Sequence, residues 1–149
     1  MKEKNAILDF LKSGQHIGDI RVGSPVDELK TAYGQPVKVV GDETIGFLYY
    51  DNGVRFGYTG GVITELGIVF FGQENIIYPV ELPLAEEHTQ ITELTRIHEF
   101  ISIINHAGIK WKSNDEKNLN VFSLKTEGEV YALFDLEDGK ITKIACRPR

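Results

Sequence analysis

The residues of this chain that could carry out acid–base, nucleophilic or metal chemistry are four histidines and one cysteine. His98 and His106 are eight residues apart and can share one face of a helix, but a zinc site needs further ligands. The pair His98–Glu99 is not followed by a second histidine four residues on, as the helical metalloprotease motif requires. His98 comes directly after Ile97 on an apolar stripe. This position favours a histidine in or beside the core.

The other candidates for chemistry are equally weak. His16 and Asp19 could form an acid–base pair. Cys146 falls on the last predicted strand, where no base can be placed beside it, so a buried and inert thiol is favoured. The acidic run 135–138 resembles half of a calcium loop but lacks the spacing to a bidentate glutamate. We therefore predict no catalytic residue, no metal and no cofactor, and expect that the protein is not an enzyme.

Composition indicates one folded domain, 1–149, in a reducing compartment. A hydrophobic fraction of 42% is sufficient for a normal core. A single cysteine excludes an internal disulfide and is typical of a cytoplasmic protein. Asp9 and Lys12 interrupt the apolar residues near the N-terminus, so a signal peptide is not expected. No apolar run is long enough for a transmembrane helix.

The formal net charge of −6 is unevenly distributed along the chain. Residues 41–109 contain ten acidic residues and only two basic ones, Arg55 and Arg96. Because contacts with phosphate require lysine and arginine, this acidic middle is not expected to bind nucleic acid. It favours a basic protein partner. An acidic surface that is merely solvated remains the alternative.

The segment Ile17 to Pro36 predicts a helix over 24–34 more clearly than any other part of the chain. Ser24 is a favourable N-cap residue, and Pro25 suits the first helical position. Gly34 can adopt the left-handed conformation that ends a helix. An earlier apolar stripe predicts a helix over 5–13 that is closed by Gly14.

Alternating apolar residues and glycine turns predict antiparallel strands after each helix. In the first half the strands are expected at 37–40, 46–50, 54–58 and 62–71. A third helix is predicted from the stripe Ile91, Leu94, Ile97, Ile101 and Ile104. Strands then follow at 109–112, 119–125, 130–136 and 141–146. The fold class is therefore α+β, with two helix-plus-antiparallel-sheet halves at about 17–71 and 91–147, joined by a connector at 72–90. The halves are either a tandem structural repeat or parts of one continuous sheet without duplication.

The pattern I-x-x-I-R-V-G-S-P-V-D-E-L-K-T-A-Y-G-Q-P, followed by antiparallel strands, resembles the module of small outer-membrane assembly lipoproteins, the BamE/SmpA-like family. The tandem form is similar to the β-lactamase inhibitor protein family. The resemblance covers residues 17–71 well and 91–147 loosely, and it implies a scaffold of helix and sheet. Without a signal peptide, a lipidation cysteine or a disulfide, it implies no periplasmic role. In size and acidity the chain also resembles bacterial immunity proteins, such as those of contact-dependent growth inhibition.

The predicted partner-binding residues are acidic or tyrosine side chains of the acidic middle: Asp42, Glu43, Tyr50, Asp51, Tyr58, Glu65, Glu74, Tyr78, Glu86 and Glu87. Tyrosine provides rigid apolar area with a polar tip, which is typical of protein interfaces. The expected function is a cytoplasmic immunity protein that occludes the active site of a cognate toxin, such as a basic nuclease. Neither nucleic acid nor membrane is expected as a partner. An assembly module that pairs through a sheet edge and a small-ligand-binding protein remain alternatives.

Overall fold

The computed structural model describes residues 5–82, 89–114 and 119–146, so the predicted contact residues Glu86 and Glu87 lie outside the described part of the chain. The helices are α1 (Ala6–Ser13), α2 (Val26–Tyr33) and α3 (Ile97–His106). The strands are β1 (His16–Ile17), β2 (Ile20–Arg21), β3 (Lys38–Gly41), β4 (Ile45–Tyr49), β5 (Val54–Thr59), β6 (Val62–Val69), β7 (Ile77–Val80), β8 (Thr89–Thr92), β9 (Trp111–Asn114), β10 (Val121–Thr126), β11 (Val130–Asp135) and β12 (Ile141–Cys146).

Helix α1 forms where the first apolar stripe was predicted. It buries four side chains on one side, Ile7, Leu8, Phe10 and Leu11. Gly14 ends it in the left-handed conformation, with φ of 64°, and donates its N–H to the Phe10 carbonyl at 2.7 Å. A residue without Cβ adopts this conformation at little cost.

Eight strands form one antiparallel sheet in the order β3-β4-β5-β6-β12-β11-β10-β9. Strands β3 to β6 form a four-stranded meander after α2, and β9 to β12 form a second meander after α3. The two meanders join along β6 and β12, where Leu66 lies opposite Cys146 and Ile68 opposite Ile144. The predicted α+β class, with two helix-plus-sheet halves in one continuous sheet, is confirmed.

The two halves build the same turn before their helices. The Ser24 hydroxyl accepts the Arg21 N–H at 3.0 Å, and the Thr95 hydroxyl accepts the Thr92 N–H at 2.8 Å. Each turn follows a small hairpin, β1–β2 in the first half and β7–β8 in the second. The predicted connector 72–90 therefore contains β7 and the start of β8, the counterparts of β1 and β2.

The starts of the helices are also equivalent, and they correct the predicted cap. The Val26 N–H donates to the Gly61 carbonyl at 2.9 Å, and the Ile97 N–H donates to the Gly139 carbonyl at 3.0 Å. Ser24 makes no capping bond to α2. The prediction that its hydroxyl caps the helix was wrong, because a carbonyl from the β5–β6 turn satisfies an N–H of the first turn instead.

The start predicted for the third helix was also wrong. Ile91 lies in β8, where it is buried, and Leu94 is exposed in the turn that follows. Helix α3 begins only at Ile97, and the Glu99 side chain accepts the Arg96 N–H at 3.1 Å. The apolar spacing from Ile91 onward matched a helix by coincidence, because a strand residue can be buried at the same sequence interval.

In each half, a side chain in a turn or at a strand end forms hydrogen bonds with a segment that precedes the meander of the other half. The Asn52 side chain, in the β4–β5 turn, donates to the Ile77 carbonyl at 2.8 Å and accepts the Ile77 N–H at 2.9 Å. At the end of β10, the Thr126 hydroxyl donates to the Leu11 carbonyl of α1 at 2.5 Å. These long-range bonds link the halves in addition to the β6–β12 pairing.

The hydrophobic core includes one face of the sheet and the buried sides of the three helices. Phe56, Leu66 and Phe134 are fully buried there. The opposite side, which we call the open face, carries the cross-strand row that includes Arg55, Gly67, Ala145 and Tyr131. Side chains alternate between the two faces along each strand.

Candidate protein-binding site

The three tyrosines predicted to contact a partner are buried. Their hydroxyls donate to backbone carbonyls, Tyr50 to Gly34 at 3.0 Å, Tyr58 to Asp42, and Tyr78 to Asn52 at 2.5 Å. All three belong to the hydrophobic core. The prediction that Tyr50, Tyr58 and Tyr78 provide interface area was therefore wrong. Their aromatic rings pack inside the molecule, and their polar ends satisfy carbonyls of neighbouring segments.

Burial gives Tyr78 a measurable effect on stability at high pH. Desolvation, with a smaller contribution from Tyr33, raises the pKa of Tyr78 above its ordinary value of 10.0. The folded state thus holds this proton more tightly than the unfolded state. The resulting stabilisation is complete below pH 10.0 and decreases as the pH rises further.

We expect Tyr78→Phe to reduce this alkaline loss of stability. At neutral pH the variant should be less stable by about 1 kcal/mol, the net contribution of a typical hydrogen bond. Above the ordinary pKa of tyrosine, the difference in unfolding free energy between the variant and the original chain should become smaller. Urea unfolding at neutral and alkaline pH measures both quantities. An equally steep alkaline loss in both chains would contradict the assignment to Tyr78.

Glu65 does not present a free negative charge. Its carboxylate lies 3.0 Å from the Arg55 guanidinium and 3.7 Å from the Lys143 ammonium on the open face. The Arg55 guanidinium also lies over the Phe47 ring, 4.2 Å from its centroid. Because two cations lie beside this one carboxylate, the cluster is not the negatively charged contact that was predicted for Glu65.

The remaining acidic residues are divided between opposite ends of the sheet. Asp42 and Glu43 lie in the β3–β4 turn, where hydrogen bonds from the backbone N–H groups of Ile45 and Thr44 lower the pKa of Asp42. Asp51 and Glu74 are exposed at the other end. The predicted residues therefore do not form one surface.

A cleft opens at the end of the sheet that carries Asp51 and Glu74. It has a volume of about 230 Å³ and is lined by residues 70–73, 93–94, 138 and 140–142 and by Asp135. These residues come from the end of β6, the β8–α3 turn and the β11–β12 hairpin. We call this the junction cleft, because both halves contribute to it.

Two large apolar side chains are exposed at the junction cleft. The N–H groups of Phe70 and Phe71 both donate to the Thr142 carbonyl, at 2.9 and 3.0 Å. Phe70 is buried in the core, whereas Phe71 is 72% exposed. Leu94 is 61% exposed in the turn before α3. Exposed apolar side chains that are grouped together mark interaction sites more than isolated ones do, and Phe71 and Leu94 line the same cleft.

Three carboxylates and one ammonium group also line the junction cleft. Glu93 accepts the N–H groups of Asn75 and Ile76, at 3.0 and 3.2 Å. Asp135 and Asp138 each accept a backbone N–H within the β11–β12 hairpin, at 2.8 Å in both cases. These bonds hold the acids in place beside the apolar side chains. Lys140 provides the ammonium group.

Phe71 and Leu94 were missed as contact residues because each fitted a local pattern. The sequence predicts Phe71 at the end of a strand and Leu94 within a helical stripe. The adjacent pair Phe70-Phe71 before Gly72 was an available signal, because neighbouring strand residues point to opposite faces and cannot both enter one core.

The described residues contain no group of three His, Cys, Asp or Glu side chains that could hold a metal ion. Cys146 is buried, and this burial raises the pKa of its thiol. None of the helices within the described ranges has both the length and the apolar character required to cross a bilayer. No protein-family model, curated protein or solved structure matches this chain.

Proposed function

We propose that this protein is a non-catalytic, cytoplasmic immunity protein that neutralises a cognate toxin domain by covering its active site. The observation that carries the proposal is the junction cleft, where exposed Phe71 and Leu94 lie among fixed carboxylates. A basic nuclease fits this chemistry, because its active site must hold phosphate and therefore presents cations.

The two kinds of side chain would act at different stages of binding. Carboxylates accelerate the encounter with a cationic surface and orient it. An exposed aromatic residue can become the desolvated centre from which most binding free energy arises. Asp51 and Glu74, exposed at the same end of the sheet, add to the negative charge of that end.

Small-ligand binding is less well supported than protein binding. The volume of about 230 Å³ is below the range of about 300–1,000 Å³ that is usual for pockets holding drug-sized ligands. A separate observation, the exposed edge of β3, supports the assembly alternative. Pairing at this edge would be self-association and would leave the junction cleft free.

The test is co-expression with the product of the adjacent open reading frame. We expect that product to arrest growth by itself and this protein to restore growth. The purified proteins should form a complex whose association slows as the salt concentration rises. If the neighbouring product does not affect growth, the immunity proposal is rejected.

Substitution of Phe71 by arginine tests whether the partner binds at the junction cleft or elsewhere on the surface. Phe71→Arg should weaken the complex at least tenfold, because it removes the apolar centre and adds a charge of the partner's sign. Leu119→Arg is the matched control, since Leu119 is 90% exposed outside the cleft. Titration calorimetry gives both dissociation constants. Equal affinity in the two variants would exclude the cleft as the contact surface.

A further inference from the structure

Strand β3 is an apolar edge of the eight-stranded sheet. It is the first strand in the sheet order and pairs with β4 along one side. All four of its residues are exposed, with Val39 at 54% and Val40 at 43%. Natural edge strands are usually protected by charges, bulges or a covering segment. Each edge strand carries one exposed lysine, Lys38 in β3 and Lys112 in β9, but β3 also exposes the adjacent pair Val39 and Val40.

The backbone of β3 has hydrogen-bonding groups directed away from β4. Asp42 donates its N–H to the Ile45 carbonyl, and the same register places Val40 opposite Phe47. Residues in an antiparallel pair alternate between bonding toward the neighbour and bonding away from it. The N–H and carbonyl groups of Val39 and Gly41 are therefore the ones that point outward from the sheet.

We propose that β3 pairs antiparallel with β3 of a second copy of this chain, about a twofold axis at Val40. This register places Val39 opposite Gly41 of the partner subunit and Val40 opposite its own equivalent. It also places Lys38 opposite Asp42 of the partner subunit. Lys38 and Val40 lie on the open face, in the pairing rows of Tyr49 and Phe47. Asp42 begins the β3–β4 turn two residues after Val40, so the positive and negative charges are symmetric about Val40 along the chain and the segment 38–42 complements itself.

The charges and side-chain sizes suit this arrangement. Backbone N–H groups of Ile45 and Thr44 donate to the Asp42 carboxylate, at 3.0 and 2.8 Å, which fixes this negative charge at the end of β3 and lowers its pKa. Opposite charges facing each other across strands are stabilising, and like charges are destabilising. Gly41, with no side chain, leaves room for Val39 of the partner subunit. An isologous contact of this kind closes as a dimer.

Charge exchange tests the register. We expect the purified chain to be a dimer by sedimentation equilibrium. Lys38→Asp and Asp42→Lys should each raise the dimer dissociation constant at least tenfold, because each creates two like-charged pairs. An equimolar mixture of the two variants should restore dimerisation, since both cross-strand pairs are then opposite in charge. Thermal unfolding checks that each variant is folded.

Lys112→Asp, on the other edge strand, is the matched control and should leave the dimer unchanged. Three results would overturn the proposal: a monomeric original chain at the highest soluble concentration, a mixture of the two charge variants that stays monomeric, or loss of the dimer in Lys112→Asp. The proposal does not depend on the immunity function, because the measurement requires no toxin.

Discussion

Replacing Phe134 by alanine is expected to lower the free energy of unfolding by about 3–5 kcal/mol, the range measured for truncation of buried aromatic residues. Phe134 is fully buried. Its ring meets Phe100 of α3 edge-on, with centroids 5.4 Å apart, and lies 6.1 Å from the Phe122 ring of β10. The substitution would remove apolar burial and leave a cavity between α3 and the sheet.

Such a loss is a large part of the total stability of a domain, which is typically about 5–15 kcal/mol. Urea unfolding followed by circular dichroism measures it. Phe71→Ala is the matched control, because it makes the same chemical change at a position that is 72% exposed. Its effect should stay within about 0.5 kcal/mol. Similar losses in both variants would contradict the assignment of Phe134 to the core and Phe71 to the surface.

Gly14→Ala is expected to be the most destabilising of the glycine substitutions that place a side chain against backbone. A Cβ at this position would lie 2.0 Å from the Gly128 carbonyl oxygen, and the residue has φ of 64°. The left-handed conformation alone costs an alanine about 1 kcal/mol. Separating α1 from the β10–β11 turn to relieve the clash should raise the total above about 2 kcal/mol.

Gly108→Ala isolates the contribution of this contact. Gly108 has φ of 74°, and a Cβ there would meet nothing within 4 Å. It therefore incurs the conformational cost without the clash. The loss of unfolding free energy in Gly14→Ala minus the loss in Gly108→Ala therefore measures the cost of the clash between α1 and the β10–β11 turn. Equal losses would mean that α1 is not held against the β10–β11 turn.

Many local features were predictable because their causes lie within a few residues. Gly14 ends α1 in the expected left-handed conformation. Gly34 ends α2 at the expected position, but its φ of 80° and ψ of −157° lie outside the left-handed helical region that was predicted. Asn52 and Gly53 form the expected turn between β4 and β5, again with positive φ. The strand predicted at 130–136 forms as β11, in which the alternating residues Val130, Ala132 and Phe134 are buried, whereas Leu136 lies beyond its end and is exposed. In each case the conformational preference or side-chain period can be read without knowing the neighbours in space.

The candidate site was predicted much less well than the fold. The middle of the chain is acidic and rich in aromatic residues, but Tyr50, Tyr58 and Tyr78 are buried in the core, and Glu65 is paired with two cations. Whether a tyrosine hydroxyl meets water or a carbonyl depends on a segment distant in sequence. Tyr78, for example, reaches Asn52, which is 26 residues away.

The sequence alone was enough to specify the order of the three helices and of the strands in the eight-stranded sheet, the main turns and the α+β class, since periodicity and glycine conformation act locally. The pairing of β6 with β12, the assignment of Ile91 to a strand and the exposure of Phe71 and Leu94 depended on the assembled fold. These features arise from competition among distant segments for a limited core. The side chains that the core cannot accommodate remain at its edge, and here they line the junction cleft between the two halves.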